Sequence, residues 1–177
     1  MIQRWLHRYG FGIQSPWAYS LVRNVLYEPL RYYAYDELRQ KYPQCSKTER
    51  KRNEQLFRIV NHFKSKDILV VGEPATATID YIQESRPLTL LQGKEGEMSE
   101  RQQESYLLYY LAPSTALSSI PTTLSDGMVL VVDDIQGTNK DAWKQLTDNA
   151  QVTAIFDMRY RGLLCCDAKR IRQTYLL

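Results

Sequence analysis

The sequence contains few of the residues that build metal centres and nucleophilic active sites. It has only 2 histidines and 3 cysteines among 177 residues, and their spacing matches neither a zinc site nor a disulfide framework. His7 and His62 are too far apart to form a motif, so we expect each to be structural or exposed. Cys165 and Cys166 are adjacent in a predicted strand, where side chains alternate between faces. We therefore predict reduced thiols and no metal site.

Long hydrophobic runs are also lacking. No stretch of about 18 apolar residues could span a membrane. The first ten residues, MIQRWLHRYG, do not contain the apolar region of a secretory signal. The glycine-rich phosphate loop and the kinase signatures are missing as well. We expect a cytoplasmic protein that does not interact with membranes.

The composition is that of a folded domain. Hydrophobic residues make up 44% of the chain, and a chain of this length can bury a sizeable core. We predict a single structural domain. Within it, a helical extension over residues 1–66 packs on an α/β core formed by residues 67–177.

Charge is distributed unevenly along the chain. Residues 1–66 hold 13 Lys/Arg and 5 Asp/Glu, residues 67–157 hold 5 and 14, and residues 158–177 hold 5 and 1. Basic helices packed near an acidic sheet explain this pattern most simply, while an anionic partner is the alternative. The basic run over residues 47–52 has no interleaved aromatics, which weakens the interpretation that it binds single-stranded nucleic acid.

Several helices are predicted in the first third of the chain. Ser15 followed by Pro16 is typical of a helix N-terminus, and Pro29 should end that helix. A tyrosine-rich segment and the amphipathic segment 47–63 should be helical too. We expect the 13 tyrosines mostly to pack the faces of the sheet.

The rest of the chain alternates between strands and helices. Apolar runs predict strands in segments 67–72, 87–93 and 128–135, with short helices after the first and the last. Segment 105–113, SYLLYYLAP, is a strand or the end of a helix, and its tyrosines and flanking proline favour a strand. Residues 94–104 should be a short helix or a loop.

The last segments predict how the sheet closes. VTAIFDMRY and LLCC are separated only by a turn that we place at Arg161 and Gly162. Because parallel strands cannot be joined by so short a turn, these two form an antiparallel hairpin, with residues 169–177 as a tail. The fold class is thus α/β, a Rossmann-like and mostly parallel sheet with a C-terminal antiparallel hairpin and an N-terminal helical extension.

Asp133 and Asp134 are the only pair of carboxylates at the predicted C-terminal end of a strand. Ligands of open α/β sheets bind at that edge. Hard cations require more oxygen ligands than these two. We therefore interpret the pair as a polar wall of a site or as a cap for the next helix.

Four segments of the sequence resemble one family. They are YGFGIQSPW at residues 9–17, LFRIVNHFKSKDIL at 56–69, DDIQGTNKDAWKQL at 133–146 and VTAIFDMRYRGLLC at 152–165. Together they resemble class I S-adenosylmethionine-dependent methyltransferases, in particular a Bacteroidetes-type group. The resemblance covers both ends of the chain and implies a methyltransferase-like Rossmann core.

The middle of the chain departs from that family. The glycine-rich loop after the first strand is reduced to Gly72, with Glu73 and Pro74 behind it. Gln92 stands near the position at which the family has an acid that binds the cofactor ribose. The segment 105–113 ends in Ala112 and Pro113, where active members of the family usually have an acid. The spacing is also too short for one βα unit, which we predict to be missing.

The resemblance implies a set of cofactor contacts, which are Gly72, Glu73, Gln92, Asp133 and Asp134, and it assigns no catalytic residue. With these departures we expect binding of S-adenosylmethionine to be weak or lost. The first functional hypothesis is therefore a degenerate methyltransferase-like module that binds an unidentified protein or small molecule. An active methyltransferase of unknown substrate is the alternative. A nucleic-acid-associated protein that uses the basic N-terminal helices is the third, less favoured hypothesis, and the oligomeric state stays open.

Overall fold

A computed structural model describes residues 2–65, 67–86, 89–93 and 108–177. The chain divides into two compact units. The helical unit comprises residues 1–64 and 74–88, and the sheet unit comprises residues 65–73 and 89–177. None of the helices in the described ranges is long and apolar enough to cross a membrane.

The described residues of the helical unit form five α-helices, which are α1 (Ile2–Arg8), α2 (Pro16–Leu21), α3 (Tyr33–Lys41), α4 (Lys47–Phe63) and α5 (Thr76–Ser85). The predicted start of α2 is confirmed, because the Ser15 hydroxyl accepts a hydrogen bond from the Ala18 amide. A π-helical segment, Val22–Leu26, continues α2 and ends three residues before Pro29. The predicted amphipathic helix is also confirmed, and its N-terminus carries a capping box between Ser46 and Glu49.

Aromatic side chains join α3, α4 and α5. The rings of Tyr35 and Phe57 meet edge to face, with their centroids 5.1 Å apart, and Tyr81 lies 6.4 Å from Tyr35. The buried guanidinium of Arg58 donates to the Val25 carbonyl and to the Tyr35 hydroxyl. These tyrosines pack among helices, which differs from the expected packing on the sheet.

In the part of the sheet unit that the structure describes there are seven strands, which are β1 (Asp67–Val71), β2 (Thr89–Gly93), β3 (Leu108–Leu111), β4 (Val129–Asp133), β5 (Ala154–Asp157), β6 (Arg161–Cys165) and β7 (Gln173–Leu176). Their order is β2-β1-β3-β4-β6-β5-β7. Strand β6 is antiparallel to both neighbours, and the other described pairs are parallel. The predicted Rossmann-like sheet with a C-terminal hairpin is therefore confirmed.

The strand order agrees with the predicted loss of a βα unit. Within the described ranges β3 follows β2 in the chain and lies on the other side of β1, and no strand lies beyond β2. Segment 105–113 forms a strand over its described part, as favoured. The expectation for residues 94–104 lies outside the described residues.

Three local predictions were wrong. Arg161 and Gly162 belong to β6 and pair with Asp133 and Val132, because the hairpin turn lies at residues 158–160. The expected tail forms β7, which pairs with β5. The segment STALSSIPTTL at residues 114–124 is expected to form a short helix, but the structure has only a 3-10 turn there, Leu117–Ser119.

One helix, α6 (Lys140–Asp148), covers a face of this sheet. Its Ala142 and Leu146 join alternate strand residues in one buried cluster. Trp143 lies against Gly162 so closely that any side chain at position 162 would collide with the indole. The absence of a side chain at Gly162 therefore lets α6 pack closely against β6.

Candidate functional site

The predicted site residues lie where the parallel strands end. Gly72 follows the last residue of β1 and has a φ of +87°. Gln92 is the penultimate residue of β2 and pairs with Val70. Asp133 is the last residue of β4, and Asp134 follows it. The carboxyl ends of these strands share one edge, and the switch in strand order between β1 and β3 is where such folds bind ligands.

Asp133 does not face solvent but forms a buried ion pair. Its Oδ1 accepts from Arg161 Nε at 2.5 Å, and its Oδ2 accepts from Arg161 Nη2 at 2.8 Å. The Tyr110 hydroxyl donates to Oδ2 at 2.9 Å. Asp133 is only 3% exposed and Arg161 only 1%. The two oxygens thus already accept three hydrogen bonds, and a bidentate pair of this kind fixes the geometry strongly.

The pKa shifts in this cluster follow from burial and from the carboxylate. Burial alone lowers the pKa of the Arg161 guanidinium, but the adjacent Asp133 raises it above its ordinary value. Burial, together with the Asp133 charge, raises the pKa of the Tyr110 hydroxyl well above its ordinary value. Arg161 therefore stays charged and Tyr110 stays a neutral donor, which excludes Tyr110 as a proton acceptor near neutral pH.

Asp134 organises the turn that leads into α6. Its φ is +54°, and its Oδ2 accepts from the Thr138 amide and from the Thr138 hydroxyl, each at 2.8 Å. The Thr138 hydroxyl oxygen in turn accepts from the Ser114 amide at 2.9 Å. The carboxylate therefore links the turn after β4 to the loop after β3.

Asn139 directly precedes α6 and connects the same two loops, those after β3 and β4. Its side-chain amide donates to the carbonyls of Ala112 and Asp133 at 2.7 and 2.8 Å. Its Oδ1 accepts from the Thr115 amide at 3.0 Å. Asn139 is fully buried, and its side chain has no capping bond to its own helix. It serves to tie the end of β3 to the end of β4.

Thr115 occupies the switch point between β1 and β3. Its hydroxyl lies 2.7 Å from the Ala112 carbonyl oxygen and 3.2 Å from that of Val71. A Cβ placed on Gly72 would be 2.8 Å from this hydroxyl. The left-handed glycine that the resemblance assigns to cofactor binding thus has the chain's own Thr115 beside it. Glu73, the next residue, is exposed.

Sequence reasoning missed four residues that organise this edge: Tyr110, Thr115, Asn139 and Arg161. Of these four, only Arg161 could have been recognised from a pattern in the sequence. An arginine two residues before the apolar run LLCC needs a buried acid if it belongs to the strand, and Asp133 ends the strand that the hairpin must pair with. The contacts of Thr115 and Asn139 depend on how two loops meet, which no local pattern records.

The described residues of this edge offer hydrogen-bonding groups, including the side chains of Tyr110, Thr115 and Asn139. Among the described residues, no group of three or more His, Cys, Asp or Glu side chains could hold a metal ion. Burial raises the pKa of the Cys166 thiol to about 11 and that of Cys165 further, so neither is a thiolate near neutral pH. What the arrangement can do is bind and orient a polar group at Glu73 or Asp134.

No family model and no curated protein matches this sequence. Fifteen chains of solved structures match its fold. One of them is the crystal structure of the SAH-bound methyltransferase PaMTH1 from Podospora anserina, with a TM-score of 0.48 and 10% sequence identity. The match covers 77% of this chain and 89% of that chain. Similarity at this level assigns no role to any residue of this chain.

Proposed function

We propose that this chain is a methyltransferase-like protein of the Bacteroidetes-type group, with a degenerate S-adenosylmethionine site, and that it acts as a binding or partner module. The observation that carries the proposal is the closed polar network at the carboxyl edge of the sheet. Asp133 is held by Arg161 and Tyr110 in a buried position. Thr115 lies against Gly72, the only glycine in the loop 72–76 that follows β1.

The remaining groups fit S-adenosylmethionine poorly. Exposed Glu73 would meet the carboxylate end of the cofactor and repel it. Pro74 has no amide hydrogen to donate. Gln92 can accept a bond from a ribose hydroxyl but without the help of a charge. These three departures affect different parts of one ligand, so their effects on its affinity should accumulate.

Calorimetric titration with S-adenosylmethionine and with its demethylated product tests the proposal. We expect no saturable heat at micromolar ligand and at most weak, millimolar binding. A matched pair of variants adds a second readout. Glu73→Gln should bind more tightly than the wild type because it removes the repulsion, whereas Glu84→Gln, which removes an exposed charge from α5, should not.

Micromolar binding by the wild-type chain would contradict the proposal. It would support the second candidate function, an active methyltransferase of unknown substrate. One observation favours that candidate, because Gly72 is exposed and left-handed, which is the backbone form that allows a ligand to approach closely. Methyl transfer depends mainly on alignment of the reacting atoms, so such an enzyme could work without the acids that this chain lacks.

A further inference from the structure

Exposed aromatic rings are concentrated near the start of the helical unit. Among the described residues, eight large hydrophobic side chains are exposed, and five of them lie between residues 9 and 33. Tyr9, Phe11 and Tyr19 are 49%, 63% and 46% exposed. Clustered exposed apolar side chains mark interaction sites more often than scattered ones do. We call these three residues together with Arg23 the aromatic patch.

Two contacts connect residues of the aromatic patch to their surroundings and to one another. Gly10 has a φ of +85°, and the ring of Tyr19 lies so close to it that no side chain would fit there. Tyr19 on α2 therefore lies beside the turn that carries Tyr9 and Phe11. The guanidinium of Arg23 lies 5.8 Å from the centroid of the Tyr9 ring. The Tyr19 ring thus lies beside Gly10, the Arg23 cation lies beside the Tyr9 ring, and Phe11 follows Gly10 in the same turn.

The charge of this region indicates what kind of ligand the patch fits. Residues 1–66 carry 13 Lys/Arg against 5 Asp/Glu. A second guanidinium, that of Arg8, lies 5.4 Å from the centroid of the half-buried Tyr27 ring, and Arg8 directly precedes Tyr9 in the chain. Exposed rings beside cations suit a ligand that is both planar and anionic. Single-stranded nucleic acid combines these properties, since its bases stack on aromatic side chains and its phosphates pair with arginines.

We propose that the aromatic patch binds single-stranded nucleic acid. This activity is independent of the sheet unit and goes beyond the proposed function. From the sequence, a nucleic-acid-associated protein that uses the basic N-terminal helices was the less favoured hypothesis, since the basic run over residues 47–52 lacks aromatics. The structure instead brings Arg23, which lies outside that run, next to the exposed ring of Tyr9. Stacking on three rings predicts little sequence preference, because every base has a face to stack.

Fluorescence anisotropy with labelled DNA and RNA strands of about 12 nucleotides tests this inference. We expect both strands to bind, and the affinity to fall steeply as salt rises from about 50 to 200 mM. Tyr9→Ala and Tyr19→Ala should each weaken binding about tenfold, the loss expected for one stacked base. Tyr19→Phe keeps the ring and should retain wild-type affinity.

A matched pair of charge variants separates the patch from general electrostatics. Arg23→Gln and Lys169→Gln each remove one positive charge, but Lys169 lies exposed in the sheet unit. Only Arg23→Gln should weaken binding several-fold. Should Tyr19→Ala fail to fold, Phe11→Ser, at a more exposed ring, replaces it.

Several results would overturn the inference. One is the absence of binding to either strand at the lowest salt. Others are equal affinity for a duplex of the same sequence, or unchanged affinity in both Tyr→Ala variants. Binding of the patch to anionic lipid vesicles or self-association through it, without binding to single strands, would assign it to a different partner.

Discussion

At the scale of single residues, the most consequential contact is the ion pair between Asp133 and Arg161. Both groups are almost completely buried, and the Tyr110 hydroxyl completes the set of donors. Removing two charges from water is expensive, so such a pair contributes little net stability over an apolar pair of similar size. Removal of only one of the two residues is strongly destabilising, because the remaining charge stays buried without a partner.

We therefore expect Asp133→Ala to lower the free energy of unfolding by about 3–5 kcal/mol. Urea denaturation followed by circular dichroism measures this change. Arg161→Met should cost a similar amount for the same reason.

The double variant distinguishes pairing from simple packing loss. Asp133→Ala combined with Arg161→Met should cost clearly less than the sum of the single variants, because it leaves no buried charge unpaired. Additive losses would mean that the two residues act independently, contrary to the geometry of their contact.

At the scale of elements, a carboxylate joins α3 to α5 in the helical unit. Asp80 on α5 accepts hydrogen bonds from the Lys41 ammonium and, at 2.5 Å, from the Tyr42 hydroxyl. Burial raises the pKa of Asp80, but its bonds to Lys41 and Tyr42 lower it further, so that the net shift is downward from 3.8. Folding therefore favours the ionised form of this side chain.

The lowered pKa of Asp80 determines how the stability of the Asp80→Asn variant, relative to the wild type, depends on pH. The stabilisation by Asp80 is present above its unfolded-state pKa of 3.8 and is lost as the pH falls through the lower folded-state value. We expect Asp80→Asn to be less stable than the wild type near neutral pH, and the difference to shrink in acid below the unfolded-state pKa. Thermal unfolding across pH measures both effects.

Asp36→Asn is the matched control for that measurement. Asp36 is exposed and pairs with Arg39 at 3.5 Å within the same helix, and such surface pairs contribute little. A stability difference for Asp80→Asn that stays constant from neutral to acidic pH would show that charge on Asp80 plays no part.

At the scale of the whole molecule, the strands of the sheet differ in how well they are protected. Strand β4 is buried at every position and pairs on both sides, with β3 and β6. Strand β7 pairs with β5 alone among the described strands and is exposed at three of its four positions. Edge strands with few buried contacts open at a lower free-energy cost.

Hydrogen exchange followed by mass spectrometry should resolve this difference. We expect peptides from β4 and β1 to exchange slowly and those from β7 to exchange at least about tenfold faster, as a lower opening free energy implies. Equal protection of β4 and β7 would indicate that β7 is covered by a partner, for example in an oligomer. Repeating the measurement at several protein concentrations tests that outcome.

The sequence by itself determined the elements whose signals are local. Ser15 before Pro16, the amphipathic period of residues 47–63 and the apolar runs of β1 and β4 each act within a few residues, so they predicted helices and strands correctly. The short loop between β5 and β6 also fixed their antiparallel pairing, because chain length alone excludes a parallel connection.

Only the tertiary structure decided which groups meet at the carboxyl edge of the sheet. Asp133 and Gly72 were predicted as cofactor contacts, and in the structure Arg161 reaches Asp133 from 28 residues away, while Thr115 reaches the end of β1 from 44 residues away. Such contacts arise from strand order and loop placement, which leave no periodic trace in the sequence. The same holds for the aromatic patch, because exposure depends on which rings the folded helices leave uncovered.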